Sequence, residues 1–93
     1  MLTIDIHGLE RECAEKMRID IFNKVASIDT TDWKSVVIEI CDCNIKNLHG
    51  VVVPQLRVFM RSFVTDSNKR LLIQKLQELD IAIMIIDVYY VRQ

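Results

Sequence analysis

Glycine and proline are nearly missing: the 93 residues hold two Gly and one Pro. That excludes collagen-like repeats and flexible linkers, and it argues against disorder. Long apolar runs are missing too. The longest, Ile81 to Ile86, is six residues, against the roughly 20 that cross a bilayer. The opening Met1-Leu2-Thr3 lacks the basic start and apolar stretch of a secretory leader. A soluble, cytoplasmic chain with no membrane partner is therefore expected. Cysteine is sparse and odd in number, three in all, so reduced thiols are expected rather than a disulfide framework. Gly8 and Gly50 are isolated, which excludes a phosphate-binding loop, a dinucleotide fingerprint or a nucleophile elbow. No motif names a cofactor. A net charge of −1 argues against strong nucleic-acid binding.

What is present suits a folded core. Apolar residues make up 51% and charged residues 27%, and the length fits a single domain over residues 1–93. The charges are unevenly placed. Residues 1–42 carry nine acids and five bases, whereas residues 43–65 carry Lys46, Arg57 and Arg61 and no acid. Residues 66–93 balance four of each sign.

Periodicity orders the chain. Leu2-Thr3-Ile4-Asp5-Ile6-His7 alternates apolar and polar and stops at Gly8, as a half-buried strand ending in a turn does. From Glu10 to Ile28, the residues Ala14, Met17, Ile21, Val25 and Ile28 recur every three or four, with Lys16–Asp20 and Asp20–Lys24 as charge pairs on another face. Cys13 beside Ala14 reads as core. Asp29-Thr30-Thr31-Asp32 reads as a turn, and Val36 to Ile40 as a β-branched buried strand. Pro54 ahead of Leu56, Phe59, Met60 and Phe63 predicts a second helix. Thr65-Asp66-Ser67 would cap a third, with Leu72, Leu76 and Leu79 as its core stripe. Ile81 to Val91 is the last strand, apolar enough to be covered on both faces. The expectation is a small two-layer α/β domain, β-α-β-α-α-β, with a mostly parallel sheet packed by helices.

A strand-helix-strand succession places the ends of the first two strands on one edge, where α/β folds usually hold ligands. His7, Gly8, Cys41, Cys43, Lys46, His49 and Gly50 are delivered there. Asp5 and His7, two apart on a strand, share a face, and a carboxylate beside an imidazole orients it for acid–base work. The bland alternative is a polar pair on a solvated face. Cys41 and Cys43 with His7 and His49 invite a zinc site, but the paired Cys-x₂₋₄-Cys knuckles of structural zinc are missing, and no metal is assigned. Arg57 and Arg61, on one face of the predicted second helix, join Lys46 and His49 as phosphate-holding candidates.

Ile4-Asp5-Ile6-His7-Gly8-Leu9, followed by a helix with Ala14 near its start, resembles the opening of the Smr (small MutS-related) domain, whose hallmark is Leu-Asp-x-His-Gly-Leu. His49-Gly50 ahead of Leu56-Arg57 resembles that family's second hallmark, a His-Gly-x-Gly loop followed by Leu-Arg, with Val52 standing at the second glycine. The resemblance implies a DNA- or RNA-binding domain, in many members a nicking endonuclease. Its Asp and His map to Asp5 and His7, and its loop to His49 and Gly50. Val52 cannot take the backbone conformations of glycine, which implies cleavage weakened or lost while binding survives. The expected interface is Gly8, Lys46, His49, Gly50, Arg57 and Arg61 around the Asp5–His7 pair. So few bases imply modest, salt-labile affinity.

Val36 to Ile40, a loop ending in Gly50, a helix, and Leu76 to Ile86 also resemble STAS domains, which bind protein partners. Asn47-Leu48-His49-Gly50 stands at that family's phosphorylation motif and carries no hydroxyl. The alternative expectation is thus a protein-interaction module without catalysis, meeting its partner through Tyr89, Tyr90 or an exposed face of the last strand.

Overall fold

The computed structural model describes residues 2–28, 35–42, 45–61 and 65–88. The chain runs β1 (Leu2–His7), α1 (Arg11–Ala26), β2 (Val36–Cys41), β3 (Gln55–Arg61), α2 (Asp66–Leu76) and β4 (Ala82–Val88). The strands form one sheet in the order β2-β1-β3-β4. β1–β2 and β3–β4 are parallel pairs, and β1–β3 at the centre is antiparallel. This is the expected small two-layer α/β class with a mostly parallel sheet. Topologically it is two β-α-β units, β1-α1-β2 and β3-α2-β4, joined along their first strands.

The core lies between the sheet and the helices. β1 supplies Leu2, Ile4 and Ile6, β3 supplies Leu56, Val58 and Met60, α1 supplies Ala14, Ile21 and Val25, and α2 supplies Leu72 and Leu76, all buried. Val36, Ile38, Ile40, Ile83 and Ile85 on the outer strands pack against this cluster. Period two in the strands and three-to-four spacing in the helices send these residues to one side. The Thr65 side chain caps α2 as expected, accepting a hydrogen bond from the Asn68 amide.

One element differs from expectation. The segment expected as the second helix is extended instead: Gln55–Arg61 is strand β3. Leu56, Phe59 and Met60 fit helical spacing, but Leu56, Val58 and Met60 fit period two equally well, and these three are the buried residues. Phe59 points to the other face, and Phe63 lies outside the described residues. Pro54 serves just before a strand, where its missing N–H interrupts no ladder.

Three smaller expectations also change. Ala82 and Met84 of β4 are exposed, so this strand is covered on one face only. Cys13 is exposed, one position off the buried stripe of α1. Lys24 pairs with Glu78 after α2 rather than with Asp20, its Nζ donating to Oε2 at 2.6 Å. The turn at 29–32 lies outside the described residues.

Both glycines take positive φ, +78° at Gly8 and +75° at Gly50, but their surroundings differ. A Cβ on Gly8 would lie 2.8 Å from the Val53 carbonyl oxygen and 3.0 Å from Pro54 Cα. A Cβ on Gly50 would meet nothing within 4 Å. Gly8→Ala should therefore cost roughly 2–5 kcal/mol, combining backbone strain with a clash against main chain. Gly50→Ala should cost only the strain, about 1 kcal/mol. Urea unfolding of the two variants checks the ordering, and equal costs would contradict it.

The Lys24–Glu78 pair sets a pH dependence. Its hydrogen bond and charge hold the Glu78 carboxyl below its ordinary value. The pair's stabilisation is thus present above the carboxylate range and lost as pH falls through it. Glu78→Gln should be less stable than the parent at neutral pH, with the gap closing as pH falls through the carboxylate range and shrinking in high salt. Denaturation midpoints across pH report this.

Candidate functional site

The helices cover one face of the sheet, and the other face is open. Strand alternation and register define what stands on it. Val37, Thr3, Phe59 and Ile86 form one row across β2-β1-β3-β4. Glu39, Asp5, Arg57 and Met84 form the next, and Cys41, His7, Gln55 and Ala82 form the third. The first row is mostly apolar. Val37 is 37% and Met84 41% exposed, so large apolar side chains meet solvent on a surface that parallel strands usually keep covered.

Asp5 and His7 share this face, as their spacing requires. His7 is buried at 8% exposure, whereas Asp5 and Cys41 are half-buried. A carboxylate oxygen of Asp5, a ring nitrogen of His7 and the Cys41 sulfur lie within 4.8 Å of one another. Cys41 arrives because it is the register partner of His7 on the parallel neighbour. Arg57, the register partner of Asp5 on β3, turns along its own strand instead, Nε donating to Gln55 Oε1 at 3.3 Å. Asp5 Oδ1 is left buried with no hydrogen-bond partner.

Between β2 and β3 the chain forms a tight hairpin. Lys46 bridges Val52, the Val53 amide donates to the Ile45 carbonyl at 2.7 Å, and Asn47 Oδ1 accepts from the His49 and Val51 amides. Gly50, with its positive φ, closes the turn, its amide donating to the Asn47 carbonyl. Lys46, His49, Val51 and Val52 are exposed, and Leu48 at the tip is fully so.

The candidate residues are thus spread over the sheet. His7, Gly8 and the hairpin with Lys46, His49 and Gly50 sit at one end, because β2 and β3 meet the hairpin there. Arg57 stands mid-face beside an acid. Arg61 ends β3 at the opposite end, roughly 20 Å along the strand from Gln55; its side chain, like Cys43, Tyr89 and Tyr90, is outside what is described. Arg57 and Arg61 lie on one strand rather than on one helix, their backbone positions about 13 Å apart. The apolar row was missed by sequence reasoning, which had set Cys41 near His7 but had not joined Asp5 to them. The signal for the row was the alternation Gln55-x-Arg57-x-Phe59 hidden under an equally good helical spacing.

No helix among the described residues is long and apolar enough to cross a membrane. Comparison with protein-family models and with curated proteins returned no match. A solved structure does match: a domain of unknown function (DUF1904) from Sebaldella termitidis ATCC 33386. The similarity has a TM-score of 0.55 at 15% identity and covers 98% of this chain and 90% of that one. At this identity the likeness is one of fold. It overturns the resemblances to Smr and STAS domains, which have no support in any of these comparisons. The geometry agrees, because the loop at His49-Gly50 leads into a strand, β3, where the Smr resemblance required a helix.

Proposed function

We propose that this chain is a protein–protein interaction module that associates with a second copy of itself through the open sheet face. The observation that carries this reading is the makeup of that face, with an apolar row beside a row divided by sign. Phe59 and Ile86 side by side with exposed Met84 in the next row, and exposed Val37 across Thr3, form the kind of apolar surface that marks an interaction site. In the next row the acids Glu39 and Asp5 occupy the β2-β1 half, and Arg57 occupies the β3 half. A face with acid on one side and base on the other is complementary to its own two-fold copy, which brings Arg57 of each chain over the acids of the other. Exposed Leu48 and Val51 belong to the hairpin at the other end of the sheet, apart from this row.

The nucleic-acid reading has less to stand on. Its bases are Lys46 and His49 on the hairpin, Arg57 beside Asp5, and Arg61 at the far end of β3. A phosphate backbone is held best by bases gathered without acids among them.

Light scattering or sedimentation on the purified chain is the test. The expected result is a species heavier than the 10.9 kDa chain, insensitive to added RNA or DNA. Met84→Glu, placing charge at an already exposed position, should keep the circular dichroism spectrum and weaken association by at least about tenfold, or 1.4 kcal/mol. A wild-type chain that stays monomeric at about 100 μM would overturn the proposal. Salt-sensitive binding of RNA or DNA by that monomer would establish the rival.

A further inference from the structure

We infer that Asp5, His7 and Cys41 form a binding site for a zinc-class divalent metal ion, with an open fourth position. The inference shares Asp5 with the proposed interface but does not rest on self-association, because it is carried by the meeting of three donor side chains rather than by the apolar row.

The chemistry of the donor set comes first. Imidazole nitrogen, thiolate sulfur and carboxylate oxygen are the three protein ligand types zinc takes, at metal–ligand distances of about 2.0–2.3 Å. Tetrahedral ligands at those distances stand about 3.3–3.8 Å apart. The three donor atoms here already lie within 4.8 Å of one another with no ion between them. Side-chain rotations that draw them in by about 1 Å complete the geometry. The soft sulfur and the imidazole favour zinc, cobalt or copper over magnesium or calcium, which prefer oxygen.

The scaffold is suited to chelation. Asp5 and His7 project from one strand at period two, and Cys41 from the neighbouring strand in register with His7. Three donors therefore converge from below on one point above the sheet. The described residues supply three donors, which leaves the fourth ligand to water or a substrate, as in metal sites that do chemistry rather than staple a fold. Rigid strands hold such donors more exactly than loops do.

A second, separate observation points to a ligand. Asp5 Oδ1 is buried and has no hydrogen-bond partner, although Arg57 is its register partner across the sheet. A buried carboxylate oxygen left unpaired is unfavourable, and a cation bound beside it would satisfy it. His7 is more than nine-tenths buried, so its ring is held in place before any ion arrives.

The test is a metal titration of the chelator-treated, reduced chain. One equivalent of Co²⁺ should produce a thiolate-to-cobalt charge-transfer band in the near ultraviolet, and one equivalent of Zn²⁺ should abolish it. Cys41→Ser should lose the band and bind Zn²⁺ at least about tenfold more weakly in competition with a chromophoric chelator. Asp5→Asn should keep the band and lose about tenfold in Zn²⁺ affinity. Cys13→Ser and Cys43→Ser should match the parent. The inference fails if the parent shows no band, or if the band survives Cys41→Ser and disappears in Cys13→Ser or Cys43→Ser. Should Cys41→Ser not fold by circular dichroism, the near-isosteric Asp5→Asn decides: unchanged Zn²⁺ affinity overturns the site.

Discussion

The antiparallel pairing of β1 with β3 is the constraint on which the rest of this molecule depends. Each outer strand is hydrogen-bonded only to one of these two, β2 to β1 and β4 to β3. Ile4 stands opposite Val58, and Ile6 opposite Leu56, all buried. Without this seam each β-α-β unit would be a two-stranded ribbon under one helix, too small to bury a core. With it, α1 and α2 share a floor, and the inner side chains of both units merge into one cluster.

The same register governs the opposite face. Whatever sends Ile4 and Val58 inward sends Asp5 and Arg57 outward, since successive side chains alternate. A slip of one residue between β1 and its neighbours would bury the acid and expose the isoleucines, so core formation itself enforces the arrangement of the outer rows. The meeting of Asp5, His7 and Cys41 needs no special device. It follows from period two within β1 and from in-register parallel pairing with β2.

This logic marks what the amino-acid pattern made legible. Strand β1 is plain in Leu2-Thr3-Ile4-Asp5-Ile6-His7 because one face is apolar and the other polar. Helix α1 is plain because Ala14, Met17, Ile21, Val25 and Ile28 keep helical spacing over about four turns. Strand β3 was not, because its outward residues include Phe59, and an aromatic on the open face makes period two imitate a helical stripe. The open face of β4 was obscured likewise: an unbroken run of isoleucine, alanine and methionine reads as buried on both sides, and nothing within a single chain says that one side awaits cover. Asp5 and His7 were legible as a pair from their spacing. Cys41 was legible as a neighbour of His7 from the strand-helix-strand succession, but its pairing with the Asp5–His7 couple, in place of Cys43 and His49, came only with the strand register, which depends on contacts far apart in sequence.

Gly8 ties these regions together. It follows His7 directly and lies flush under the main chain of Val53 and Pro54, where the returning arm of the hairpin enters β3. The hairpin's footing and the end of β1 are thus a single mechanical joint, fitted by the absence of one methyl group. The hairpin's returning arm and the residue that follows His7 therefore rest on one another, and a side chain at position 8 would part them.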